Sequence, residues 1–192
     1  MSTTTESTAT RTAALPAGTW AVDPVHSLAE FRVRNMGLVN VTGQFADFEG
    51  TVVSDGTPEG SRAEGTVEVA SVSTRSEKRD QHLHADDFFA TAQHPQIRFA
   101  SKRFESGDDG INVVGDLTIK GNTHEVVFHV APQVDAPIED PWGGTRIGVE
   151  ATTELDRRDY GLDWDVLTPA GIPLASYKVK LALNLGLVKQ SD

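Results

Sequence analysis

The 192-residue chain contains no cysteine. That excludes a disulfide framework, a thiolate-held zinc or iron–sulfur site and thiol catalysis, and it leaves the redox compartment open. Positive charge is scarce: 17 Lys and Arg stand against 28 Asp and Glu, a net charge of −11 with a pI near 4.9. A field of that sign repels phosphate backbones and anionic lipid heads, so nucleic acid is not an expected partner. No run of about 18 apolar residues occurs, so no integral membrane segment is expected. Neither Gly-x-Gly-x-x-Gly nor Gly-x-x-x-x-Gly-Lys-Ser/Thr is present, and nucleotide chemistry lacks its phosphate cradle. What remains has ordinary globular composition, with 38% hydrophobic residues and 17 glycines in a length that one domain fills.

Residues 1–18 are rich in Thr, Ser and Ala, with Glu6 and Arg11 their only charges. Such a stretch cannot bury enough surface to offset its ordering entropy and reads as a disordered tail before a domain at 19–189. It has neither the basic start nor the apolar stretch of a secretory leader, and the expected location is cytoplasmic.

From Trp20 onward the dominant period is two, the period of a strand. In 27–34, Ala29, Phe31 and Val33 alternate with Glu30, Arg32 and Arg34. In 111–120, Ile111, Val113, Gly115, Leu117 and Ile119 share one face; after the turn residues Lys120-Gly121-Asn122, segment 123–131 returns with Val126, Phe128 and Val130 on one face. This is a hairpin. Segments 66–71, 97–104 and 145–155 add three strands, and 176–188 forms a long final one. Segment 41–54 adds another whose parity slips between Phe45 and Phe48, as a bulge or sharp bend requires. Only 79–92 argues for helix, stopped by His94-Pro95.

About eight long, half-apolar strands with short connections and one helix specify an all-β antiparallel fold, better served by closure than by open edges. The expected architecture is an extended eight-stranded antiparallel β-barrel, lipocalin-like, with the short helix near a mouth. Such a barrel either fills with side chains or holds one small ligand. Large Phe31, Phe45, Phe99 and Phe128 share the inward set with small Ala29, Gly115 and Ala151, which leaves room; a solid core with glycines at bends is the competing reading.

In order, Trp20-Ala21-Val22-Asp23-Pro24-Val25-His26-Ser27, then Gly43-Gln44-Phe45-x-x-Phe48-x-Gly50, resemble the opening of the YceI family of lipocalin-like, polyisoprenoid-binding proteins. Ala70-Ser71-Val72-Ser73-Thr74, Arg79-Asp80-x-His82-Leu83-x-x-x-Asp87-Phe88-Phe89, Pro95-x-Ile97-x-Phe99-x-Ser101, Gly115-Asp116-Leu117-Thr118-Ile119-Lys120-Gly121 and Arg158-Asp159-Tyr160-Gly161 extend the resemblance to roughly 19–187. Asn35 departs from it where the family often carries a histidine, so no imidazole role transfers there. Residues 135–144, with Pro137, Pro141 and Trp142, form a longer loop than the family needs.

The resemblance implies a barrel that binds a long-chain isoprenoid, a polyprenyl or quinone-type lipid, for sequestration, storage or transport, with its head near the mouth beside the helix. By alternation the wall comprises Phe31, Val33, Phe45, Val67 and Val69 in the first half. Phe99, Val113, Leu117, Phe128, Val149, Val179 and Leu181 complete it. Leu83 and Phe88 stand at the helical end. Arg79 and His82 are candidates for a pyrophosphate or quinone head, since Arg offers a planar fork of donors and His a further one. Their structural reading is that Arg79 and Asp80 pair with neighbours and cap the helix while Leu83, Phe88 and Phe89 plug the barrel.

Such a site needs no catalytic group, no cofactor and no metal. An isomerase or hydrolase acting on a lipid-like substrate, with His26 or His82 as acid/base, is the enzyme alternative, and a solid structural module is a third. His82-x-His84 is poorly spaced for a metal on a helix, where i and i+4 share a face. Asp23, His26 and Ser27 have hydrolase residue types but no nucleophile elbow, and read as turn hydrogen bonds between strands. A flat barrel face also offers room for a homodimer, the commonest oligomer.

Overall fold

The alternation that starts at Trp20 becomes an antiparallel sheet that closes on itself. The computed structural model describes residues 15–107, 110–132 and 136–191. Its strand segments are β1 (Gly18–Val22), β2 (Leu28–Asn35), β3 (Val39–Phe45), β4 (Phe48–Ser54), β5 (Arg62–Glu68), β6 (Val72–Ser73), β7 (Gln96–Ser106), β8 (Ile111–Ile119), β9 (Asn122–Pro132), β10 (Ile138–Glu139), β11 (Thr145–Asp156) and β12 (Ala175–Lys189). Among the described residues the one α-helix is α1 (Glu77–Leu83).

Closure falls to β12. One of its edges pairs with β11 from Arg146↔Val188 to Asp156↔Lys178, and the other pairs with β1 (Trp20↔Lys189) and then β2 (Leu183↔Ala29). β1 and β2 are therefore two halves of one bent strand, and β3 and β4, paired to β2 and β1, are halves of the next. Counted this way, eight strands form the closed wall in the order β1/β2, β3/β4, β5, β7, β8, β9, β11, β12, with β6 and β10 as short additions. The parity slip between Phe45 and Phe48 is the bend at Ala46 and Asp47.

The β1–β2 bend is a 3-10 turn, Pro24–His26, held by Asp23. The Asp23 carboxylate accepts from the Val25 N–H (3.0 Å) and Arg146 Nη1 (2.6 Å), and pairs with His26 Nδ1 (2.9 Å). Gly186 N–H donates to Ser27 Oγ at 2.9 Å, so the bend stays stitched to β12. These are the expected turn bonds, and Ser27 is committed to the backbone. The β8–β9 hairpin turns at Lys120 and Gly121, both with positive φ (49° and 76°), which matches the right-handed twist of the strands it joins.

Two elements differ from expectation. The helix is Glu77–Leu83, not 79–92. Acidic Asp86 and Asp87 sit where the helix dipole is negative, and 85–93 instead forms turns that swing Phe88 and Phe89 toward the barrel. The strand expected at 66–71 ends at Glu68, because Val69–Ser71 is a 3-10 turn whose Val69 N–H donates to the Pro95 carbonyl at 2.8 Å.

At the opposite end Trp20 is fully buried with Ile147 and Leu187. Its Nε1 donates to the Pro16 carbonyl at 2.9 Å, and Ser54 Oγ donates to that of Leu15 at 2.7 Å. Leu15 and Pro16, which composition assigns to the tail, are thus tied to the fold through their carbonyls, and Leu15 packs against this cluster; residues 1–14 lie outside the described residues. Among the described residues no helix is long and apolar enough to cross a membrane.

Two carboxylates pin the corners. Hydrogen bonds from His26 and Arg146 hold Asp23 down from the usual 3.8 to about 2, and Arg158 holds Asp156 to about 2. Folded values below the unfolded one mean that their stabilisation is complete above the unfolded pKa and is lost as pH falls through the folded one. We expect the melting temperature to fall as pH drops from 3.8 toward 2, and Asp156→Asn to flatten that dependence in an acid titration followed by tryptophan fluorescence.

Candidate functional site

Inside the wall lies a cavity of about 320 Å³. It runs from Leu83, Arg157 and Leu162 at the helical end to Leu15, Ile147 and Leu187 at the other, and its surface is almost wholly hydrocarbon. Its ionisable lining residues, among those described, are Glu30, Glu49, Glu64 and Arg157. The three glutamates alternate with inward-facing neighbours, so their carboxylates belong to the outer face.

Glycines keep the lumen open. Gly43 stands opposite Phe31, and a Cβ there would collide with the Phe31 ring. A Cβ on Gly115 would lie 2.6 Å from Phe99 Cζ. Both rings can therefore lie back against bare backbone. Gly50 pairs directly with Gly65, leaving an inward stretch of wall with no side chains at all. The aromatics of the lining also lean on one another: Phe31 on Phe45 at 5.6 Å between ring centres, Phe45 on Phe89 at 6.2 Å, and Phe99 edge-on to Phe128 at 5.3 Å.

The structure brings Phe31, Val33, Phe45, Val67, Leu83, Phe88, Phe99, Val113, Leu117, Phe128, Val149, Val179 and Leu181 together on this lining. Three expected residues are elsewhere. Val69 is buried in the 3-10 turn after β5, where strand alternation has ended. Arg79 faces its own loop: Nε donates to Thr74 Oγ1 (2.6 Å) and Nη2 to the Thr74 carbonyl (2.8 Å), while Asp80 accepts from the Thr74 N–H and hydroxyl. His82 pairs with Asp87 at 2.9 Å and lies edge-on to Phe88 and Trp164. The arrangement at Arg79 and Asp80 is the bracing of the helical corner, and Leu83, Phe88 and Phe89 close the lumen beneath it.

The enzyme candidates do not converge on the cavity. His26 is exposed beside Asp23, His82 lies on the outer corner, and neither lines the lumen. His84 Nδ1 meets Thr91 Oγ1 at 3.0 Å, away from His82's partner. Among the described residues no group of three or more His, Cys, Asp or Glu is placed to hold a metal ion.

Sequence reasoning missed Arg157. It is 4% exposed, and its Nε and Nη2 donate to the carbonyls of Ser176 (3.1 Å) and Ala175 (3.2 Å), with Nη1 donating to that of Leu162. Burial lowers its pKa. Arg158, which the family block emphasised, turns outward onto Asp156 and the Tyr177 ring. Adjacent arginines after a strand give no hint which one turns in. Leu183, Leu185 and Leu187 also line the lumen, and parity with Val179 and Leu181 was enough to find them.

The family model of the YceI-like domain matches residues 20–187. The chain belongs to the YceI-like family. The protein YceI of Escherichia coli is 33% identical over 166 residues, covering 86% of this chain and 83% of that protein. Among solved structures, BcnA of Burkholderia cenocepacia aligns with a TM-score of 0.71 at 21% identity, covering 86% of this chain and 98% of its own. A polyisoprenoid binding domain from Saccharophagus degradans aligns with a TM-score of 0.65 at 18% identity, covering 89% and 98%. At such identities these two structures share the barrel of the YceI-like chain.

Two outcomes follow for this YceI-like lumen. Gly43→Ala should push the Phe31 ring inward, because the atoms nearest its new methyl all belong to the far end of that side chain. The lost room, worth about two methylenes of ligand, should weaken long-chain lipid binding about tenfold in a displacement titration. Arg79→Ala should lower stability by about 1–3 kcal/mol through the polar groups it leaves unpaired, with lipid capacity unchanged in the same titration.

Proposed function

We propose that the protein binds a long-chain isoprenoid, a polyprenyl or quinone-type lipid, and sequesters, stores or transports it. One observation carries this: an apolar cavity of about 320 Å³ running lengthwise through a closed barrel, kept free of the protein's own rings by opposed glycines. Each buried methylene contributes about 0.8 kcal/mol, so an extended hydrocarbon binds firmly with few polar contacts when the tunnel is already open. The polyisoprenoid binding domain of Saccharophagus degradans, which shares the barrel, supports the same ligand class. In this reading the protein acts as a carrier in the cytoplasm; the alternative is an isomerase or hydrolase acting on a lipid-like substrate in the same cavity.

The test is native mass spectrometry of protein purified without detergent, followed by organic extraction. A retained species of isoprenoid mass is expected, and Ala151→Phe, which places a ring in the lumen, should abolish its retention. Absence of any retained lipid, together with failure to take up an added polyprenol, overturns the reading.

A further inference from the structure

Two neighbouring loops at the end of the barrel where β2 terminates and β12 begins carry no charge. Residues 36–41 and 166–174 contain no ionisable side chain, in a chain that is 23% charged. The loops are fixed to each other: Met36 N–H donates to the Leu174 carbonyl at 3.1 Å, and Asn35 Nδ2 donates to the same oxygen at 3.0 Å. The second loop is a narrow hairpin held by its own backbone, with Leu174 N–H on the Val166 carbonyl and Thr168 N–H on that of Ile172, both at 2.8 Å. The first turns tightly at Met36 and Gly37, both with positive φ. On these ordered tips Leu38 is 71% exposed, Val39 59% and Leu167 53%, with Val166 and Ile172 beside them.

Scattered exposed aliphatics need no explanation, but five on two joined, uncharged tips form a contact surface. We propose that these tips dock the protein on the uncharged surface of a lipid bilayer, with their aliphatic side chains dipping among the acyl chains. The proposal rests on the isoprenoid-carrier reading, since a carrier of so insoluble a cargo exchanges it with membranes.

Charge and continuity select this occupant. A net charge of −11 opposes anionic lipid, while tips without charge suit a zwitterionic surface, where insertion of apolar side chains is the only attraction needed. The apolar surface also continues inward. Val39 pairs with Asn35 at the tip, and two residues along the strand Val33, opposite Val41, lines the lumen. Lipid moving between bilayer and barrel at this end would meet the tips first.

The experiment is flotation of the full chain with phosphatidylcholine vesicles, comparing wild type with Leu38→Glu/Leu167→Glu. Both sites are exposed, so the fold should be unaffected. Wild type should float with the vesicles at low and high salt alike, and the variant's bound fraction should fall about tenfold or more, with its co-purified lipid retained by mass spectrometry. Wild type that stays behind, a variant that floats equally well, or a variant whose change is the dissociation of a homodimer overturns the proposal. Flotation scores the protein whatever its lumen holds, so an empty lumen in protein that still floats counts against the carrier reading and not against the docking surface.

Discussion

The lumen depends on a strand that is hydrogen-bonded along both edges. Because β12 meets β11 on one side and the bent β1/β2 on the other, the wall has no free edge there. Pairing around the wall gives strand backbone groups polar partners in the neighbouring strands and not in the interior. Only then can the interior be lined in hydrocarbon. An open sandwich of the same strands would have to bring its two faces into contact and fill the space between them.

Closure alone does not make a hollow. The inward set contains several phenylalanines, enough to occlude a barrel of this width, and the glycines opposite them let the rings lie along the wall. The ends are stopped by different means. At one, Trp20 and Leu15 pack across the mouth. At the other, Leu83, Phe88 and Phe89 close the lumen under a polar corner made by Thr74, Arg79 and Asp80. Arg157 joins the start of β12 to the turn after β11 through backbone carbonyls. Charge is thus kept to the rims and the outer face, and the chamber between them is almost free of it.

Much of this was legible in the residues. Alternation marked the strands and most of the lining, the pair Lys120-Gly121 marked a hairpin, and the broken parity at Phe45 and Phe48 marked the bend. The expected residues that lie off the lining do so for local reasons. Val69 follows its strand's parity in the sequence, but the chain leaves the sheet one residue earlier, where Val69 N–H finds the Pro95 carbonyl. Arg79 and His82 have the chemistry of a head-group site, and the partners that absorb it, Thr74 and Asp87, lie on the same corner, where sequence spacing says nothing about direction. Arg157 was invisible because a buried arginine satisfied by carbonyls leaves no complementary acid to notice.

The central claim is that the barrel encloses a tunnel shaped for an oily chain. A crystal structure of the protein purified from its own organism without detergent tests it most directly. The account predicts unbroken, elongated density along the barrel axis between Leu162 and Ile147, with the Phe31 and Phe99 rings flat on Gly43 and Gly115. A lumen filled by those rings, with the wall drawn in around them, would contradict it.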